Sequence, residues 1–416
     1  MSDILYLFNP WWEHREFFTG TRRDRYLEQL SSNISNKQAI LIVGSRRVGK
    51  TVLLHQLIRQ LLDQKVKPET LIYLPLDHPS LGGKKILELV EEIRTVHGLK
   101  RGEKLYLFLD EVQFSPTWEQ EAKAIIDFEN IKLFISGSAS TKILSKGAFL
   151  TGRTLTFKIE PFDFKEFVAY HGGTGKLDSA FKNGLFKKYL EVGGYPEYVV
   201  SQNPIYFSDL ITNVVNKDIT TLFPVNNSAL LSQLLSLLAD RAGSQTSLTK
   251  LGKILDLTKD TIKDYVYYLS STFLVTELGK FSSSRNSTIY SPKKYYLLDT
   301  GLLFNLTGRL NFGAAAENIV FHKLLSESKK LGFYFEDQKE LDFVVDDLAV
   351  EVKYELSDMG WEKLASQIKK IPENKFKKIV VLTTDVRKNE VVGGVKVEFK
   401  SLVDFLLDTG SLLKDT

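Results

Sequence analysis

Short apolar runs separated by amphipathic stretches organise the first part of the chain. Mostly apolar runs predict five strands, at residues 39–43, 70–76, 104–109, 131–135 and 154–159. Between two of them, apolar residues recur at helical spacing in Ile86, Leu89 and Ile93, and this spacing predicts a helix. Strands that alternate with helices are typical of an α/β domain.

The segment directly after the first predicted strand carries the strongest chemical signal. Its residues follow the spacing G-x-x-x-x-G-K-[ST] of a phosphate-binding loop and are Gly44, Ser45, Arg46, Arg47, Val48, Gly49, Lys50 and Thr51. Backbone N–H groups of such a loop, together with the positive end of the next helix, bind phosphate. We predict that Lys50 reaches the β- and γ-phosphates and that the Thr51 hydroxyl ligates Mg²⁺. A glycine-rich turn without a ligand is the alternative.

Two acids, Asp110 and Glu111, end the third predicted strand. Asp110 is predicted to hold Mg²⁺, directly or through water, and Glu111 to polarise the attacking water. An Asp-Glu pair at a strand end could also be a solvated turn. The guanine-reading pattern Asn-Lys-x-Asp occurs nowhere in the sequence, which favours ATP over GTP.

Later strands add three polar candidates. Ser136 and Ser138 follow the fourth strand, at the edge of a parallel sheet that faces the nucleotide crevice. Either serine could bond the γ-phosphate or the lytic water, or belong to a plain serine-rich turn. Arg153, before the fifth strand, could serve a neighbouring subunit's site as an arginine finger, or could cap a surface turn.

The motifs together resemble predicted ATPases of archaea and bacteria in the AAA+ group, which carry a C-terminal domain of unknown function. The resemblance extends over almost the whole chain and rests on Asn9-Pro10-Trp11-Trp12, residues 44–51, Leu109-Asp110-Glu111-Val112-Gln113, Ser136-Gly137-Ser138, Leu150-Thr151-Gly152-Arg153 and Gly193-Gly194-Tyr195-Pro196-Glu197. It implies an AAA+ core at 1–160 and a helical lid at 161–227. An arginine finger at Arg153 would require a homo-oligomer, such as a hexameric or other ring. For Trp11 and Trp12 we predict burial against the sheet rather than stacking on adenine.

Helical spacing with short links continues through residues 228–298 and predicts a winged helix. Three predicted helices precede a hairpin, in a helix-turn-helix rhythm. The basic residues offered to DNA are Lys259 and Lys263 on the recognition helix and Lys280, Arg285, Lys293 and Lys294 on the wing. Asp260 and Asp264 on the same helix weaken the electrostatic case, and docking to a protein is the alternative.

Two alternating strands around Asp346-Asp347 predict a tight hairpin in the last predicted domain, 299–416. A two-residue turn places Asp342 opposite Glu351, with Lys353 on the same face. Opposed carboxylates repel unless a cation lies between them, so we predict a divalent metal held by Asp342 and Glu351, with Lys353 orienting water or stabilising the phosphate.

The spacing Asp-x₈-Glu-Val-Lys also resembles the restriction-endonuclease-like nuclease motif, which implies that Glu317 is the acid on a helix. Leu341 stands where that motif usually has proline. Two alternatives stay open: solvent-facing charges balanced by Lys353, and an inactive nuclease-like fold that serves as a nucleic-acid or protein platform.

Composition narrows the function classes only slightly. The net charge of +4 permits nucleic acid as a partner but does not argue for it. The absence of cysteine excludes disulfides, thiolate zinc sites and cysteine nucleophiles. The N-terminus does not have the pattern of a signal peptide, and no apolar run reaches the length of a membrane span, so a cytoplasmic location is expected.

The sequence therefore predicts an α/β chain with a P-loop AAA+ parallel sheet and helical lid, then a winged helix and a restriction-endonuclease-like α/β domain. The predicted function is ATP hydrolysis with Mg²⁺, coupled to DNA processing and with possible nuclease activity. The alternative is a regulatory switch ATPase whose C-terminal half docks a protein partner.

Overall fold

The computed structural model describes residues 2–138, 150–173, 178–282, 291–328, 330–373 and 375–408. The chain divides into two compact units. The first is Met1–Glu160 with Ser271–Phe273, and the second is Pro161–Ser270 with Leu274–Thr416. Within the described ranges, no helix has both the length and the apolar character needed to cross a membrane.

A five-stranded, fully parallel sheet forms the centre of the first unit. Its strands are β1 (Ala39–Val43), β2 (Leu71–Pro75), β3 (Leu105–Asp110), β4 (Ile131–Gly137) and β5 (Thr154–Lys158), in the order β2-β3-β4-β1-β5. Its main helices are α1 (Ser2–Phe8), α2 (Asp24–Ser31), α3 (Lys50–Asp63), α4 (Ile86–His97) and α5 (Trp118–Phe128). The predicted parallel α/β sheet is confirmed.

The order of these strands decides which loops meet. Strand β4 lies between β1 and β3, with Val43 beside Gly137 and Leu109 beside Ile135. Because the strands are parallel, the carboxyl ends of all three lie at one edge of the sheet. The phosphate loop, the Asp110-Glu111 pair and the serines after β4 therefore come together at that edge.

The N-terminal segment covers the edge strand β2. Asn9 donates from Nδ2 to the Tyr73 carbonyl (3.1 Å) and accepts the Tyr73 N–H at Oδ1 (2.6 Å), as a neighbouring strand would. The indole N–H groups of Trp11 and Trp12 both donate to the Leu71 carbonyl, at 2.9 and 3.0 Å. Covering an edge in this way satisfies main-chain groups that would otherwise be open to pairing. The prediction that both tryptophans pack against the sheet is confirmed.

The second unit contains a mixed six-stranded sheet and a two-stranded hairpin. The larger sheet has the order β12-β13-β11-β10-β9-β8. The strands of the unit are β6 (Val275–Leu278), β7 (Lys294–Leu297), β8 (Leu331–Glu336), β9 (Lys339–Val345), β10 (Leu348–Lys353), β11 (Lys378–Thr383), β12 (Glu390–Val392) and β13 (Val395–Ser401). Its described α-helices of six or more residues are α6 (Phe164–Tyr170), α7 (Ser179–Val192), α8 (Pro196–Ser201), α9 (Tyr206–Asn213), α10 (Ser228–Ala239), α11 (Leu248–Leu255), α12 (Lys259–Ser271), α13 (Thr300–Thr307), α14 (Phe312–Glu327), α15 (Asp358–Ile368) and α16 (Leu402–Leu407).

The segment predicted as a lid is helical and shares its core with the C-terminal sheet. Phe164 on α6 and Leu190 on α7 belong to the same buried cluster as Val320 on α14 and Val350 on β10. Burial of these side chains ties 161–227 to the rest of the second unit.

The Gly193-Gly194 pair fixes the end of α7 to the start of α13. Gly193 has φ +74°, and a Cβ there would overlap the Asp299 carboxylate. Asp299 is buried and accepts the N–H groups of Gly194 (2.6 Å) and Leu302 (3.1 Å). Burial raises the pKa of Asp299 to about 6, although these main-chain donors counteract the effect. Only glycine tolerates both the backbone angle and the close approach.

The elements predicted for the middle segment occur in the predicted order. Helices α10, α11 and α12 are followed by the antiparallel pair β6 and β7. On α12 the exposed face carries Lys259 and Lys263 beside the equally exposed Asp260 and Asp264. Arg285 lies outside the described residues. Winged-helix DNA contact stays a prediction for this segment.

Candidate functional site

The phosphate loop occupies the turn between β1 and α3. Gly49 turns the chain with φ +95°, and Lys50 begins the helix. Lys50 is buried, and its ammonium group donates to the carbonyls of Gly44 (3.2 Å) and Ser45 (3.0 Å). Ser45 and Val48 are buried, whereas Arg46 and Arg47 are half-buried. The lysine thus lies over the loop, near the position where a bound phosphate would meet it.

Three hydroxyl groups surround the Asp110 carboxylate at the end of β3. Thr51 and Tyr73 both donate to Oδ2, at 2.6 and 2.7 Å. Ser136 donates to Oδ1 and accepts the Glu111 N–H at 3.2 Å. The carboxylate is therefore held in one orientation beside the Thr51 hydroxyl. Burial, followed by the nearby Asp110 charge, raises the pKa of Tyr73, so its hydroxyl stays protonated.

Glu111 lies next to Lys50 because the chain turns sharply after β3. Its φ of +52° is uncommon for a residue other than glycine and directs the side chain back toward the loop. Glu111 Oε1 lies 3.6 Å from Lys50 Nζ, and Gln113 donates to Oε2. Burial alone would raise the pKa of Glu111, but Lys50 and the Gln113 hydrogen bond outweigh it and lower the pKa. Glu111 is accordingly ionised at neutral pH, which the predicted water-polarising role requires.

The other predicted residues of this unit take different positions. Ser136 is buried against Asp110, whereas Ser138 accepts a hydrogen bond from Gln113 at 3.0 Å. Arg153 makes two bonds to Asp127 (2.9 and 3.1 Å) and lies before β5, at the sheet edge opposite the phosphate loop. Catalytic roles for Ser138 and for Arg153 in a neighbouring subunit stay predictions.

Three residues for which the sequence predicted no role also belong to this site. Tyr73 is a hydroxyl-bearing residue in an otherwise apolar strand, and Gln113 follows the acidic pair closely; both are weak local signals. Arg23 gives no such signal, yet its buried guanidinium group donates to the Val48 carbonyl (3.1 Å) and the Glu160 carbonyl (2.8 Å). Arg23 thereby fixes the back of the phosphate loop.

The donor set at the phosphate loop fits Mg²⁺. Thr51 and Asp110 bring a hydroxyl oxygen and a carboxylate oxygen within 2.6 Å of each other. Mg²⁺ prefers oxygen ligands and is usually held by one or two carboxylates together with substrate phosphates and water. These two residues would hold the ion when a nucleotide is bound.

The C-terminal acids also come together, as the hairpin prediction required. Val345 pairs with Leu348 across a two-residue turn, which confirms the predicted register. Asp342 and Glu351 are both buried, and each accepts a main-chain N–H from the other strand: the Asp342 N–H reaches Glu351 (3.2 Å), and the Val352 N–H reaches Asp342 (2.9 Å). Lys353 contacts Glu351 at 2.6 Å, and Glu317 reaches the same cluster from α14.

A second lysine, Lys294, lies among these acids. Lys294 is 1% exposed, and its Nζ lies 2.7 Å from Glu340, 3.3 Å from Glu317 and 3.4 Å from Asp342. This position corrects the prediction that Lys294 meets DNA from a wing, because β7 turns its side chain into the unit. Burial, followed by the Asp342 charge, raises the pKa of Glu317 to about 8, which further reduces the negative charge of the cluster at neutral pH.

A lysine ammonium group lies in the cluster where a divalent metal was predicted. Lys294 Nζ is 3.3 Å from Glu317 and 3.4 Å from Asp342, whereas the predicted metal pair is Asp342 and Glu351. In the part of the chain that the structure describes, no group of three His, Cys, Asp or Glu residues is arranged to hold a metal ion. The metal roles of Asp342 and Glu351, and the nuclease roles of Glu317 and Lys353, stay predictions.

The first unit is an α/β domain with a parallel sheet and a phosphate-loop motif, and its similarity is to AAA domains. Residues 36–168 match the family model described as an AAA domain, and residues 183–312 match one described as a domain of unknown function (DUF8612). The six-stranded C-terminal sheet lies outside both matched segments.

Two similar proteins carry the description uncharacterized protein. One, from Haemophilus influenzae, is 27% identical over 400 residues, covering 92% of this chain and 98% of the relative. The other, MJ1544 from Methanocaldococcus jannaschii, is 27% identical over 353 residues, covering 79% of this chain and 77% of the relative.

Among solved structures, the replication initiator DnaA bound to AMPPCP and single-stranded DNA matches with a TM-score of 0.31. It is 15% identical, over 62% of this chain and 91% of DnaA. The Saccharomyces cerevisiae Hsp104–ADP complex matches with a TM-score of 0.33 and 16% identity, over 60% of this chain and 38% of Hsp104.

Proposed function

We propose that this protein binds ATP with Mg²⁺ and hydrolyses it at the phosphate loop. The observation that carries the proposal is the pairing of two acids with two loop residues: Asp110 bonds Thr51, and Glu111 lies beside Lys50. Mg²⁺, when bound, neutralises charge on the phosphates. Lys50 stabilises the charge that develops on the transferred group, and Glu111 polarises the attacking water.

Replacing Glu111 by glutamine is expected to separate binding from hydrolysis. The amide keeps the size of the side chain but cannot accept a proton from water, so ATP should bind normally while its hydrolysis falls by about 10²–10⁴-fold. Equilibrium binding of a fluorescent ATP analogue and phosphate release measure the two steps. Glu129→Gln, which alters an acid on the opposite edge of the sheet, is the control. Normal hydrolysis by Glu111→Gln would assign the water-polarising role to another residue.

We further propose that the second unit uses the nucleotide state to act on DNA. Support comes from the helix-turn-helix order of α11 and α12 and from the exposed Lys259 and Lys263, while the acids between them limit the attraction. We expect duplex, branched or single-stranded DNA to bind less tightly as salt rises and to stimulate ATP hydrolysis. Cleavage by wild type that disappears in Asp342→Ala would add nuclease chemistry.

The second candidate function is a switch that docks a protein. Lys294 favours it, because an ammonium group within the acid cluster suits a stable platform better than a metal-dependent nuclease. Binding of a protein partner that depends on nucleotide, with no effect of DNA on hydrolysis and no cleavage, would favour this candidate over DNA processing.

A further inference from the structure

Tyr73 joins the edge strand of the first sheet to the acid that faces Thr51. It lies on β2 beside Phe108 of β3, and only 6% of it is exposed. Its hydroxyl donates to Asp110 Oδ2 at 2.7 Å. A hydrogen bond to an ionised group is among the stronger ones in a protein, and here both partners are buried.

The Tyr73 hydroxyl helps to hold the Asp110 carboxylate in its orientation toward Thr51. Thr51 donates its proton to the same oxygen, which leaves the lone pairs of the Thr51 hydroxyl available to a metal ion. Ser136 donates to the other oxygen. Without Tyr73, Oδ2 would keep a single donor, and the carboxylate could turn away from Thr51.

Asn9 in turn holds the main chain of Tyr73 in place. Its side-chain amide bonds both the N–H and the C=O of Tyr73, and the same Nδ2 donates to the Leu5 carbonyl at 2.8 Å. Asn9 is fully buried, so no water competes for these bonds. The Asn-Pro-Trp-Trp segment thus holds the strand position from which Tyr73 reaches Asp110, although it is far from the phosphate loop in sequence.

We propose that Tyr73 is a positioning residue for the Mg²⁺-binding carboxylate, and that Asn9 sets its place. The inference rests on the proposed function, because it concerns the ion that accompanies ATP. Tyr73 acts through Asp110, to which its hydroxyl donates. Its removal therefore weakens the Mg²⁺-dependent part of nucleotide binding and spares the part that needs no metal.

The variant Tyr73→Phe tests this inference, with Tyr106→Phe as the matched control. Tyr106 lies on β3, four residues before Asp110, where Lys104 lies over its ring. Binding of a fluorescent ATP analogue is titrated with and without Mg²⁺. We expect Tyr73→Phe to need about tenfold more Mg²⁺ for half-maximal binding, with metal-free affinity and the control unchanged. A shift of Tyr73→Phe equal to that of Tyr106→Phe would overturn the inference and leave the ATP site standing.

A double variant that combines Tyr73→Phe with Asp110→Asn distinguishes a positioning role of Tyr73 from a general contribution to the stability of the fold. If Tyr73 works through Asp110, Tyr73→Phe adds nothing to the Mg²⁺ requirement of Asp110→Asn. A tenfold effect that persists in the double variant would mean that Tyr73 acts elsewhere, and the inference would be wrong. If wild type binds no nucleotide with or without Mg²⁺, the proposed function and this inference fail together.

Discussion

Replacement of Lys50 by alanine is expected to abolish ATP hydrolysis, with a loss of at least about a hundredfold in kcat/KM. Lys50 is the buried cation of the phosphate loop, within 3.6 Å of Glu111 and bonded to two loop carbonyls. Alanine removes the charge that would face the phosphates in the proposed site, together with the bonds to the loop carbonyls. The affinity for ATP should fall as well, because the same ammonium group would contact bound phosphate.

Phosphate release and analogue binding measure this loss, and Lys67→Ala is the matched control. Lys67 belongs to the same unit, but its side chain is 75% exposed and 3.7 Å from Glu103, so its removal should change neither quantity. Thermal unfolding of both variants separates loss of chemistry from loss of fold. Hydrolysis at the wild-type rate in Lys50→Ala would show that the phosphate-loop assignment is wrong.

Replacement of Lys294 by methionine is expected to lower the free energy of unfolding by about 3–5 kcal/mol. Methionine has nearly the volume of lysine but no charge, so the buried Asp342 and the partly exposed Glu317 and Glu340 would lose their shared cation. Denaturant unfolding measures the change. Lys293→Met, at the preceding and half-buried position, is the control and should stay within about 0.5 kcal/mol of wild type.

Added Mg²⁺ or Mn²⁺ provides a second readout of the same variant. A divalent cation can take the place that the ammonium group leaves, and binding to the folded state alone raises Tm. We expect the ions to raise Tm in Lys294→Met and to leave wild type unchanged at that site. Equal stability of Lys294→Met and wild type would mean that the acid cluster does not need this lysine.

The parts of the site that the sequence predicts are those formed by residues close together in the chain. The loop 44–51 and the pair Asp110-Glu111 are contiguous motifs at strand ends, so their meeting follows from any parallel sheet that places the two strands near each other. The hairpin register was likewise predictable, because a two-residue turn fixes every pair that follows. Both predictions depend only on residues that are close together in the chain.

Tyr73 and Lys294 depend instead on which distant segments pack together. The bond from Tyr73 to Asp110 exists because β2 is the direct neighbour of β3, a relation that no local pattern encodes. Lys294 follows Lys293, and on a strand the two side chains point to opposite faces. Only the packing of β7 against α14 and β9 decides which lysine is buried. The pattern of apolar residues does not predict burial at Lys294, because the side chain buried there is charged.

The cover that Asn9, Trp11 and Trp12 place over β2 also affects how the chain is made. The indole partners lie 60 and 59 residues further along the chain, at Leu71. At about 5–20 residues per second, a ribosome delivers both tryptophans several seconds before their acceptor exists. During that interval neither indole N–H has its Leu71 acceptor. The cover over β2 can therefore form only after β2 itself has been synthesised.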